Sequence, residues 1–116
     1  MYEYKAKLDR VIDGDTIDVI IDLGFKMTTN QRVRFLDIDT DEIHSVKHDT
    51  EEYKRGLITK KFVEKRFAEN GNEFIVRTRK GRITGKYGRY LCEIVLGDNT
   101  MTLNEQLNKE GYAKKL

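Results

Sequence analysis

At 116 residues the chain is long enough for one ordinary hydrophobic core and too short for two. Charged residues make up 36% of it and apolar residues 38%, the latter in periodic clusters, which excludes a disordered polyelectrolyte. A net charge of only +2 excludes attraction to a polyanion by the molecule as a whole, so any such binding depends on where the basic residues gather.

The N-terminus has no apolar run, and no segment approaches the length needed to span a bilayer. The chain as written reads as cytoplasmic, and equally as the mature form of an exported protein. Residues 2–12 read as a strand, with Tyr2, Tyr4, Ala6 and Leu8 alternating against Glu3, Lys5, Lys7 and Asp9. Asp13-Gly14-Asp15-Thr16 is then a tight-turn signal, because glycine tolerates positive φ and aspartate bonds its own backbone. Asp15 opens a second strand over residues 16–21. Residues 23–30 read as a loop, and residues 31–38 as a third strand.

That third strand leads into Arg32-Val33-Arg34-Phe35-Leu36-Asp37-Ile38-Asp39-Thr40-Asp41-Glu42, where guanidinium and carboxylate groups crowd together. Residue types alone leave two readings open, a solvated strand edge and a metal-assisted phosphate site. Strict alternation puts Arg34 and Asp39 on opposite sides of a flat strand. For both to serve one site the strand must bulge or end near Asp37.

His44 and His48 follow in a polar stretch and, lacking a third histidine or a cysteine nearby, read as loop residues rather than metal ligands. Thr50 caps a helix whose first turn carries Glu51 and Glu52, and Asn70-Gly71 ends it. Tyr53, Leu57, Ile58, Phe62, Val63 and Phe67 form its expected buried stripe. Residues 73–79 make a fourth strand, with Phe74, Val76 and Thr78 on one face. Between Arg77 and Arg89 the chain carries six basic residues, Arg77, Arg79, Lys80, Arg82, Lys86 and Arg89, and no acid. With its glycines and Tyr87, this stretch suits either a solvated hairpin or a loop that holds phosphate and stacks a base. Residues 90–96 form a fifth strand around Cys92, the sole cysteine, which reads as a small buried apolar residue and rules out an internal disulfide. Thr102 caps a short last helix ended by Gly111. A helix between the third and fourth of five strands is the order of the OB-fold barrel, so the expected class is α+β, a single five-stranded OB-fold domain over residues 1–116 with a short C-terminal helix.

Val11-Ile12-Asp13-Gly14-Asp15-Thr16, Arg34 to Glu42, Lys86-Tyr87-Gly88-Arg89 and Leu103-Asn104-Glu105-Gln106-Leu107 with Gly111, in this order and spacing, resemble the staphylococcal nuclease (thermonuclease) family. The resemblance implies calcium bound by the carboxylates of Asp15 and Asp39 and the backbone carbonyl of Thr40, ahead of magnesium or manganese. It implies Arg34 and Arg89 on the scissile phosphate, Glu42 as general base, and Lys86 and Tyr87 on the nucleotide phosphate. The implied activity is hydrolysis of DNA and/or RNA with little sequence preference, leaving 3′-phosphate products. No membrane or obligate protein partner is expected, and a monomer is the default. The rival reading is a catalytically weak or inactive module that binds nucleic acid or protein. Arg34, Glu42 and Arg89 together favour the enzyme, since a binder has no use for a base beside a metal pair. Two departures stand out: Asp41 occupies the family's proline position in a chain without proline, and Asp37 is an added acid.

Overall fold

Inward-facing apolar positions recur along the strands, and burying them together closes a barrel. The structure is a computed structural model that describes residues 2–83, 89–98 and 101–116, and of residues 79–83 the backbone alone. Its elements, in chain order, are β1 (Tyr2–Asp13), β2 (Thr16–Gly24), β3 (Met27–Phe35), β4 (Ile38–Asp39), α1 (Glu51–Glu69), β5 (Glu73–Ile83), β6 (Tyr90–Val95), α2 (Leu103–Lys109) and β7 (Lys114–Lys115). The barrel order is β1-β2-β3-β6-β5, and β4 pairs with β7 beside it. Barrel neighbours are antiparallel except β3 and β6, which run parallel with Val33 opposite Tyr90. This is a closed, mixed five-stranded barrel with α1 between its third and fourth strands, the α+β OB-fold expected from the element order.

Ile17, Val19, Val33, Phe35, Val76 and Ile94 fill the interior. Val63 and Phe67 of α1 and Leu103 and Leu107 of α2 close over it, with the Phe67 and Phe74 rings 4.8 Å apart. Both helices start on threonine caps: Thr50 accepts from the Tyr53 N–H, and Thr102 forms a reciprocal capping box with Glu105.

Three expectations need correction. Residues 23–30 are not a loop: β2 and β3 continue to a tight hairpin whose Gly24, Phe25 and Lys26 all have positive φ. The outer half of β3 is largely solvent-exposed, so it lacks the apolar alternation that marks a half-buried strand. Ile58 is exposed, because the buried face of α1 runs through Gly56, Thr59, Val63, Arg66 and Phe67, and two residues beyond Gly56 the helix has turned by about 200°. The third strand stops at Phe35 rather than at residue 38.

Arg66 is buried within that helical face, held by acceptors from three directions. Its Nη1 and Nη2 donate to Asp98 Oδ2 at 2.9 Å and Oδ1 at 2.8 Å, Nη1 also to Glu69 Oε1 at 3.1 Å, and Nε to Gln106 Oε1 at 3.0 Å. The planar fork thus ties α1 to α2 and to the turn after β6. The Arg66 guanidinium pulls the Asp98 carboxyl from its ordinary 3.8 down to about 2. A carboxyl depressed on folding contributes stability above its unfolded pKa and loses it as pH falls through the folded one. Asp98→Asn is therefore expected to lower the melting temperature by a steady amount at neutral pH. That difference should shrink below pH 3.8 and close near pH 2 in a thermal-melt series.

Candidate active site

The site begins at the β1–β2 turn. Irregular register in β1, between Leu8 and Arg10 and between Val11 and Asp13, brings Asp13 opposite Thr16 and turns its side chain inward. Asp13 Oδ1 accepts the Asp15 backbone N–H at 3.0 Å, and Asp15 Oδ1 accepts the Thr16 hydroxyl at 3.0 Å. Both aspartates are buried. Gly14 does not adopt the positive φ expected of it; among the described glycines only Gly24, Gly71 and Gly111 do. What requires glycine there is space, since a Cβ would lie 2.5 Å from Thr59 Cγ2 and 3.0 Å from Thr40 Oγ1.

Arg34 points outward between the buried Val33 and Phe35, opposite Thr16 on β2. The chain turns at Leu36-Asp37, with Asp37 at φ 63°, and β4 returns so that Asp39 faces Arg34. The strand end anticipated near Asp37 is therefore present. Aspartate is one of the few residues that enter the left-handed region readily, which gives the added acid at this position a backbone role. Arg34 Nη2 donates to Asp39 Oδ1 at 2.9 Å and to Asp15 Oδ2 at 3.4 Å. The Thr40 backbone N–H donates to the same Asp15 oxygen at 3.2 Å, fixing the Thr40 peptide beside it.

The turn is held from outside by Asn104 on α2. Its Oδ1 accepts the Ile94 N–H and its Nδ2 donates to the carbonyls of Leu36 and Cys92, each at 3.0 Å. The Leu36 N–H donates to the Cys92 carbonyl at 2.9 Å, and the Leu116 N–H to the Asp37 carbonyl at 3.0 Å. Strand β7, which no sequence pattern announces, lays Lys114 against Asp39.

Asp41 is anchored to α1: its Oδ2 accepts from Arg55 Nε at 3.1 Å, and its carbonyl sits where a Cβ on Gly56 would fall 2.7 Å away. Glu42 is exposed, and its Oε1 accepts the His44 backbone N–H at 3.2 Å. The His44 ring bonds the Ile12 carbonyl at 3.0 Å, while His48 stacks on Tyr53 at 4.3 Å.

Burial comes first in the electrostatics, and like charge adds to it. Burial, then the adjacent Asp15 carboxyl, push Asp13 from 3.8 up to about 7, with Glu42 contributing in the same direction. Asp39 is also raised, first by burial and then by Asp15, against the opposing pull of Arg34. Asp15 and Asp39, converging on one Arg34 nitrogen, offer a donor set of hard oxygens suited to a hard divalent cation. Among the described residues no three His, Cys, Asp or Glu side chains are arranged to hold an ion by themselves. Backbone carbonyl, water and substrate oxygens must complete such a shell.

Arg89 immediately precedes β6 and lines a cavity of about 610 Å³ with Asp18 and Arg32, the latter Arg34's outward neighbour on β3. Arg32 is itself paired to Asp18 by bonds of 2.7 and 3.0 Å. Lys86 and Tyr87 lie outside the described residues.

Residues 32–116 match the family described as staphylococcal nuclease homologue. The chain belongs to that family. It is 32% identical over 127 residues to uncharacterized protein MJ1439 of Methanocaldococcus jannaschii, covering 96% of this chain and 58% of that protein. It is 29% identical over 122 residues to Endonuclease YhcR of Bacillus subtilis, covering 96% of this chain and 9% of that protein. The chain thus corresponds to a part of each of these relatives. Its staphylococcal-nuclease-like barrel brings Asp15, Arg34, Asp39 and Thr40 together by direct bonds, sets Glu42 near Asp13, and places Arg89 beside Arg32. The sequence reading takes Asp13 only as a turn former, because its burial follows from strand register rather than from local pattern. It gives Asn104 no role either.

Two substitutions test this scaffold. Asn104→Ala leaves the Ile94 N–H and the Leu36 carbonyl without their partner, at an expected cost of about 2–4 kcal/mol in urea unfolding. Gly14→Ala forces Thr59 and Thr40 apart, with an expected loss of about 1–3 kcal/mol. Adding Thr59→Ser, which removes the clashing methyl, should recover part of it.

Proposed function

We propose that this domain is a calcium-dependent, sequence-nonspecific nuclease that hydrolyses phosphodiester bonds of DNA and/or RNA and leaves 3′-phosphate products. The observation that carries the reading is the convergence of Asp15 and Asp39 on Arg34, with the Thr40 peptide fixed alongside. A pair of repelling carboxylates held around a guanidinium is a poor stabilising device and a good receptor for a cation with a bound phosphate. The endonuclease name of the Bacillus relative supports phosphodiester cleavage.

Asp15, Asp39 and the Thr40 carbonyl would hold the ion, and the chemistry supplied there by bound calcium is charge neutralisation at the phosphate. The forked donors of Arg34 and Arg89 bind the phosphate oxygens and stabilise the charge that grows on them in the transition state. Glu42, exposed on its loop, accepts the proton of an attacking water at a carboxylate oxygen, worth roughly 10²- to 10⁴-fold in rate. Lys86 and Tyr87 contact the nucleotide phosphate.

Degradation of single-stranded DNA with calcium and with chelator is the direct test. Cleavage is expected with calcium alone, with a metal dissociation constant on the order of 10⁻⁴ to 10⁻³ M because only two carboxylates serve as ligands. Glu42→Gln and Arg89→Ala are each expected to slow turnover at least about tenfold in a protein that still folds. Binding of DNA without cleavage under any divalent metal would overturn the enzyme reading in favour of a nucleic-acid-binding module.

A further inference from the structure

We infer that His44 is a positioning residue for Glu42, its ring tying the loop that carries this carboxylate to the end of β1 beside Asp13. The inference rests on the reading of Glu42 as the general base. Between β4 and α1 the chain runs through residues 40–50 with no strand, helix or proline to fix it. A carboxylate on such a loop has both backbone and side-chain freedom, and a base held loosely spends little time within reach of the water it must deprotonate.

Two sets of contacts remove that freedom. On the α1 side, Asp41 bonds Arg55 at 3.1 Å, the Asp41 carbonyl packs on Gly56, and Ile43 is buried. These fix the backbone immediately before and after Glu42 against the helix. On the β1 side the link is His44: its backbone N–H donates to Glu42 Oε1 at 3.2 Å within the loop, and its ring Nε2 donates to the Ile12 carbonyl at 3.0 Å. A carbonyl oxygen can only accept, so Nε2 is the nitrogen that donates in this bond. Ile12 directly precedes Asp13, so one ring spans from the loop of the base to the strand end that bears the carboxylates. His44 is itself exposed, and burial in the core does not account for its engagement.

A double-mutant cycle in steady-state cleavage of single-stranded DNA with calcium separates positioning from general support. His44→Ala is expected to lower kcat about fivefold or more with KM within about twofold and the melting temperature little changed. His44→Gln, whose amide N–H has similar reach, should return kcat to within about twofold of the parent. In a Glu42→Gln background, His44→Ala should cost nothing further, because its effect passes through the carboxylate already removed. Parental kcat in His44→Ala, no recovery in His44→Gln, or an equal loss in both backgrounds would each overturn the positioning role while leaving Glu42 as base. Parental kcat in Glu42→Gln alone would instead remove the base, and the role of His44 with it.

Discussion

Everything in this site depends on like charges that would rather be apart. Asp13 and Asp15 are buried at the β1–β2 turn, Asp39 stands half-exposed beside them on β4, and the proton affinities of Asp13 and Asp39 are raised by desolvation and by the Asp15 charge. Arg34 offsets part of this by sharing one nitrogen between Asp15 and Asp39. The residual repulsion favours any arrangement that lets the carboxylates separate, so the backbone carrying them must be held by forces unrelated to their charge.

Those forces are supplied by hydrogen bonds and steric contacts around the rim. Asn104 satisfies three backbone groups at once and binds α2 to the turn that reverses β3 into β4. The β7 strand and the Leu116 N–H close the far side of that turn. Gly14 and Gly56 let the β1–β2 turn and the Asp41–Ile43 segment lie directly on α1, so the helix acts as a backstop for both loops. The place of the family's proline is thus taken by an ion pair, Asp41 with Arg55, which fixes position through a side chain rather than through φ.

Strands β1, β2, β5 and β6, helix α1 and its caps were legible in the sequence because each presents a regular apolar period or a capping pattern. The outer part of β3 was not, since a ribbon exposed on both faces carries no alternation. Of the buried face of α1, Val63 and Phe67 were legible, but Gly56, Thr59 and Arg66, residues without an apolar signature, were not. The two-residue strands β4 and β7 are shorter than any period. In the candidate site, the types and order of Asp15, Arg34, Asp39, Thr40 and Glu42 were readable from a family pattern, but the turn that unites Arg34 with Asp39 depends on one left-handed residue, Asp37. The burial of Asp13 and the grip of Asn104 arise from contacts between distant segments and leave no trace in local spacing.

The parallel pairing of β3 with β6 carries a kinetic consequence. It joins Val33 to Tyr90 across a loop containing all of α1, whereas β1 with β2 and β2 with β3 are hairpins closed over a few residues. Loop-closure entropy makes the long connection the slow step in assembling such a topology. Asp15 and Arg34 can meet as soon as the hairpins form, but Arg89 joins their side of the barrel only at closure. A half-folded chain thus holds its acidic turns before Arg89 reaches them, and the full set of candidate site residues is assembled only in the finished ring.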